Sequence, residues 1–266
     1  MLDSWFPRTP TFLLTVLALG LALGSFLNVV IYRLPRSESL LWPRSRCGSC
    51  GHSIRPWHNV PLLGWLFLRG RCADCHARIS ARYPLVETIG ALITLLACLL
   101  PATPWRSLAA LWLGLSLLAV FFIDLDHRII PDEISLGGTV LGLALSFVTI
   151  GFVPALTGAL LGGGILFLLA WGYEKTRGRA GMGMGDVKLA LMLGAFLGWQ
   201  GVVLTLLLSS LVGALLGIAL LASRRGTATT ALPFGCFLAP AAWVALLFGP
   251  RIWSWYLGLF TLAAHP

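Results

Sequence analysis

Charge is what this sequence has least of. Asp, Glu, Lys and Arg together make up 11% of its 266 residues, and only ten of them are acidic. A soluble domain carries nearer 25% charged residues, and a water-exposed globule of this length has no way to bury a chain that is 58% hydrophobic. The shortage of polar residues also excludes disorder. What remains is a polytopic membrane protein. At about 20 residues per spanning helix, the apolar runs predict an all-α chain of about eight transmembrane helices with one sizeable polar segment.

The first run, Phe12–Ile31, is too long for the apolar region of a signal peptide and lacks a small-residue cleavage site, so it reads as a retained first helix. Further spans are expected at 85–100, 107–124, 133–150, 153–172, 187–199, 201–222 and 232–249. Trp253, Trp255 and Tyr256 in the tail 251–266 suggest an interfacial belt or a short extra helix. The domain plan is a first helix within 1–31, a polar domain at 32–84 and a membrane domain at 85–266. Gly158/Gly162, Gly194/Gly198 and Gly213/Gly217 have the small-xxx-small spacing that lets membrane helices approach closely.

Basic residues outnumber acidic ones, 19 to ten. In a soluble protein that excess would suggest nucleic acid. Here the basic residues lie between apolar runs, so a nucleic-acid partner is excluded and contact with the lipid bilayer is expected. Sixteen of the 19 fall on one side: nine between Tyr32 and Tyr83, Arg128, four from Lys175 to Lys188, and Arg224 with Arg225. Arg8, Arg106 and Arg251 fall on the other. The bias predicts a cytoplasmic polar domain and two external termini.

That polar domain contains Cys47-Gly-Ser-Cys50 and Cys72-Ala-Asp-Cys75, separated by 21 residues. Each knuckle offers two thiolates, and two knuckles complete a tetrahedral shell for Zn2+. Redox dithiols and free cysteines are the other readings; paired structural disulfides conflict with a reducing compartment. A four-thiolate site is closed, so its zinc is structural. His52 and His76 read as solvated or supporting residues, and Cys98 and Cys236 as packing residues.

The scarce acids cluster. Asp124, Asp126 and Asp132 stand where an apolar helix meets a polar break, and Asp186 follows the glycine-rich run Gly181-Met182-Gly183-Met184-Gly185. Ionised groups at the edge of hydrocarbon are costly and mark functional sites. For Asp132, capping of the following helix or pairing with Arg128 or Lys188 is the simpler reading. Asp124 and Asp186, if brought together, would resist joint ionisation and share a proton. Such a pair can activate water and protonate a leaving amine. On a helix Asp126 points about 200° away from Asp124 and would not share its role.

Taken in order, Gly24-Ser25-Phe26-Leu27-Asn28 through Pro35, both knuckles, Asn59-Val60-Pro61, Arg69-Gly70-Arg71-Cys72, Ser80 to Glu87, Asp124 to Asp132 and Gly183-x-Gly185-Asp186 resemble the bacterial type IV prepilin peptidases, a GxGD-type aspartic protease family. The resemblance covers roughly residues 20–200. It implies catalytic aspartates at Asp124 and Asp186, with zinc on Cys47, Cys50, Cys72 and Cys75. It further implies cleavage of a short basic leader from prepilins and pseudopilins at the cytoplasmic face of the bacterial inner membrane. N-methylation of the new terminus with S-adenosylmethionine would follow, and Glu87 and Gly90 are candidates for the donor site. Residues 85–266 would then be the peptidase domain. Two rivals from other classes are a proton-coupled transporter, with the same carboxylates near the bilayer midplane, and a zinc-knuckle docking module on an inert anchor.

Overall fold

The computed structural model describes residues 9–100, 103–178, 181–223 and 233–263. Among them are eight α-helices and no named strand: α1 Pro10–Arg33, α2 Leu63–Phe67, α3 Arg82–Leu99, α4 Pro104–His127, α5 Asp132–Ser146, α6 Phe152–Arg177, α7 Met184–Ala222 and α8 Gly235–Ala263. Two compact units are present, Met1–Ala119 and Val120–Pro266. Among the described residues six helices are long and apolar enough to cross a membrane: α1, α3, α4, α6, α7 and α8. The all-helical membrane architecture therefore stands as read from composition.

The first unit is built on α1 against α3. Thr9 caps α1, its hydroxyl accepting from Phe12 N at 3.3 Å. The two helix backbones touch through glycine. A Cβ at Gly24 would lie 2.6 Å from Glu87 Cα, and one at Gly90 would lie 2.8 Å from Gly24 Cα. Asn28 Nδ2 donates to Tyr83 O at 3.2 Å and ties the two helix ends together. Past α1, the Arg33 guanidinium is buried and donates to Ser39 O at 2.9 Å and Pro43 O at 2.7 Å, which folds the following chain back.

In the second unit α7 packs on α5, α6 and α8. Two of the three glycine pairs seen in the sequence make its contact with α6. A Cβ at Gly194 would stand 2.1 Å from Gly158 O, and one at Gly162 would stand 2.7 Å from Ala190 O. Gly217 has open space around it and a Cβ at Gly213 would meet only the Phe237 ring at 3.7 Å, so the third pair makes no close backbone approach among the described residues.

The element bounds differ from the sequence reading in three places. The expected spans 187–199 and 201–222 form one 39-residue helix interrupted at Gly198, whose φ of +70° breaks the helical path. Trp253 spans that break, donating Nε1–H to Gln200 O at 3.1 Å and packing edge-on against Trp199. The tail up to Ala263 continues α8 through Pro240 and Pro250 and is not a separate helix. The expected span 133–150 is shorter, because α5 has 15 residues, about 22 Å of rise. Arg8, Arg179, Arg224 and Arg225, used above for orientation, lie outside the described residues, as do the chain ends.

Substituting Gly194→Ala forces backbone apart and is expected to cost about 1–3 kcal/mol, whereas Gly217→Ala meets nothing. Thermal melts of the two purified variants check this; equal midpoints would contradict it.

Candidate active site and metal centre

Asp124 lies one turn before the end of α4, with 4% of its surface exposed. A carboxylate so buried needs donors, and the start of α8 supplies them. Cys236 N donates to Asp124 Oδ2 at 3.1 Å, and the Gly235 N–H bonds the same carboxyl. These are first-turn amides with no partner inside their own helix, so the positive end of α8 meets the aspartate. Gly235 is required by space: a Cβ there would stand 2.8 Å from Asp124 Oδ2.

Asp186 occupies the first turn of α7 and is half-buried. The Gly183 N–H bonds its carboxyl, and the charge of Asp124, 62 residues earlier in the chain, acts on it directly. Ile130 is packed beside both positions. Its Cβ lies 3.1 Å from where a Gly185 Cβ would be, and its Cδ1 lies 3.2 Å from that of Gly235. The fold thus brings Asp124 and Asp186 into one electrostatic neighbourhood inside the second unit, each next to a glycine backbone.

The other acids have different surroundings. Asp132 opens α5 and holds Lys188 Nζ at 2.8 and 2.7 Å. More than half of its side chain is exposed, which makes the pair a brace worth about 0–1 kcal/mol. Asp126 is exposed.

The first unit holds the four cysteines. Their sulfurs all lie within 4.8 Å of one another, with Cys47 Sγ and Cys75 Sγ 3.8 Å apart. A tetrahedron with Zn–S arms of 2.3 Å has edges of about 3.8 Å, so the donor set fits Zn2+. Both knuckles repeat one backbone design. Cys47 N donates to His52 O and Ile54 N to Ser45 O; Cys72 N donates to Ala77 O and Ile79 N to Gly70 O. The N–H groups of Cys50 and Ser49 point at Cys47 and hold its thiol down at about 6, so a thiolate is present at neutral pH. His52 and His76 are exposed and stand outside the four-sulfur cluster.

Glu87 and Gly90 sit where α3 meets α1. Glu87 is buried, and its Oε2 accepts from Leu62 N at 2.6 Å, with Ser25 as a further partner.

Comparison with known proteins shows the family. Residues 18–100 match the bacterial peptidase A24 N-terminal domain, and residues 111–218 match the type IV leader peptidase family. A prepilin leader peptidase/N-methyltransferase of Aeromonas hydrophila is 44% identical over 92% of this chain and 93% of its own length. Proteins of the same name from Pseudomonas aeruginosa and Legionella pneumophila are 40% and 35% identical, each over 97% of this chain and 97% and 99% of their own lengths. The chain belongs to the type IV leader peptidase family. No solved structure matches it.

The type IV leader peptidase match encloses both Asp124 and Asp186, and the N-terminal match encloses both knuckles. Neither reaches Gly235 and Cys236, and the reading from sequence treated Cys236 as a packing residue. Its thiol does pack, with Sγ donating to Phe121 O at 3.3 Å, but its backbone N–H makes the polar contact. The available signal was Pro233-Phe234-Gly235 at the head of an apolar run, a helix start with free amides.

Cys72→Ser is expected to lower bound metal well below one per chain and to open residues 44–79 to protease. Elemental analysis of the purified protein checks this, and wild-type protein without zinc would contradict it.

Proposed function

We propose that this chain removes the short basic leader from type IV prepilins and pseudopilins and then N-methylates the amine it exposes. The observation that carries the reading is the Asp124 carboxyl. It is buried, held by the first amides of α8, and in electrostatic contact with Asp186 within the stretch that matches the type IV leader peptidase family. Relatives named for both activities support it.

The two carboxyls have unequal surroundings, and we assign roles from that. Helix-terminal N–H groups favour the ionised form of Asp124, so it is the base. Beside that charge Asp186 keeps a proton and is the acid. Asp124 takes a proton from water while the water oxygen adds to the scissile carbonyl carbon. Asp186 gives its proton to the leaving nitrogen as the C–N bond breaks, and a proton passing from Asp124 to Asp186 resets the pair. Ile130 and the close backbone around Gly185 and Gly235 limit water beside them.

Cys47, Cys50, Cys72 and Cys75 would hold a structural Zn2+ that fixes the knuckles and, with four protein ligands, activates no water. S-adenosylmethionine, when bound, supplies the methyl group. Glu87 and Gly90 are its candidate neighbours. In this arrangement Glu87 is engaged by Leu62 and Gly90 lies against α1, so they form no open cradle.

The domain plan under this reading is a first helix ending near residue 31, a cytoplasmic zinc domain at 32–84 and a membrane peptidase domain at 85–266. Counting α5 and dividing α7 at Gly198 gives eight membrane segments. The basic-residue bias supports an inner-membrane protein whose zinc domain and carboxylates face the cytoplasm, with both termini periplasmic. A transporter fits less well, because Asp124 and Asp186 stand at helix ends.

Asp124→Asn and Asp186→Asn are each expected to cut leader cleavage by about 10^4-fold or more with bound zinc unchanged; normal processing of a prepilin by both would sink the assignment. Gly235→Ala, which crowds the Asp124 oxygen, is expected to lower kcat about 100-fold with KM little altered.

A further inference from the structure

The first unit carries an apolar run that neither the knuckles nor the carboxylates use. Val60-Pro61-Leu62-Leu63-Gly64-Trp65-Leu66-Phe67-Leu68 interrupts the otherwise polar segment. Its helix α2 leaves Phe67 83%, Leu63 62% and Leu66 53% exposed, a contiguous apolar patch of the kind that marks a membrane or partner surface.

The inner side of the run is fixed. Trp65 Nε1 donates to Ile79 O at 3.2 Å and its ring fills the space beside Gly70. A Cβ at Gly64 would stand 2.2 Å from His58 O, so α2 lies flat on the preceding turn.

Its position along α3 is fixed as well. Leu62 N is bonded to Glu87 Oε2 at 2.6 Å. Glu87 is the sixth residue of α3, a helix long and apolar enough to span, and therefore stands about 8 Å along it. α2 is thus tied to α3 within the stretch that is long and apolar enough to span. Tyr83 and Leu85, on the first turn of α3, are exposed too. Arg69 and Arg71, both exposed, follow the run directly, which suits the headgroup layer.

We propose that α2 is an interfacial anchor. Leu63, Leu66 and Phe67 insert among the lipids of the leaflet that carries the knuckles, and Arg69 and Arg71 meet anionic headgroups. Insertion to about 5–10 Å is typical of such segments. The anchor sets the height of the zinc knuckles above the bilayer.

The test uses the full chain in vesicles of phosphatidylcholine and phosphatidylglycerol. Phe67→p-benzoylphenylalanine is photoactivated and the adducts are weighed. Ser53→p-benzoylphenylalanine, exposed on the first knuckle, is the control. Leu63→p-benzoylphenylalanine is read in parallel, so that loss of one variant, recognised by aggregated elution, leaves the readout intact. Lipid adducts at 67 and 63 and none at 53 are expected. Equal adducts at all three positions, or none at 67 and 63, would overturn the proposal. Lipid adducts replaced by peptide adducts when a prepilin is added would also overturn it, in favour of a substrate groove.

Discussion

A carboxylate that is 96% shielded from solvent has to find hydrogen-bond donors within the protein. Asp124 finds them at the one kind of place where an α-helix leaves amides free, its first turn. That contact links residues 112 positions apart and supplies donors to the buried carboxyl. The rest of the second unit follows from it. Gly235 must be glycine to let the oxygen in, α4 must end close to the start of α8, and Asp186 must be delivered to the same neighbourhood by α7. Under the proposed function, the unequal surroundings of the two aspartates give them different roles although they are the same residue type.

Delivery of α7 depends on how closely helix backbones can approach. In a membrane, apolar side chains gain little by leaving lipid for protein, so packing at short range is what holds helices together. The Gly158–Gly194 contact is such a point, and it fixes the half of α7 that carries Asp186. The break at Gly198 lets the remainder take another path, with Trp253 donating to the Gln200 carbonyl just past it. In the first unit Gly24 and Gly90 serve the same purpose for α1 and α3, and the buried Arg33 clamps the turn from the membrane into the polar segment.

Much of this was legible in the sequence, for identifiable reasons. Cys-x-x-Cys spacing is a local property, so the four-sulfur cluster could be read directly, and its geometry matches the expectation. Helix existence followed from long apolar runs. The helix bounds followed less well, because Gly198 and Pro250 look alike as breakers while Gly198 bends its helix and Pro250 does not end α8. The meeting of Asp124 with Asp186 was an inference from residue chemistry and resemblance. No periodicity encodes a contact across 62 residues. The α8 clamp is not legible because a backbone N–H leaves no mark in the side-chain alphabet; Cys236 reads from sequence as a packing residue, whereas its amide makes the contact. The Leu62–Glu87 bond escaped notice for the same reason.

The central claim is that Asp124 and Asp186 act as one unit. The most direct measurement is the rate of prepilin cleavage by the double variant Asp124→Asn/Asp186→Asn set beside the two single variants, in the same lipid. Groups that act together lose their contribution once. The account predicts that the double variant is no slower than the slower single variant. Losses that multiply, so that the double variant falls below both by the product of the single effects, would contradict it.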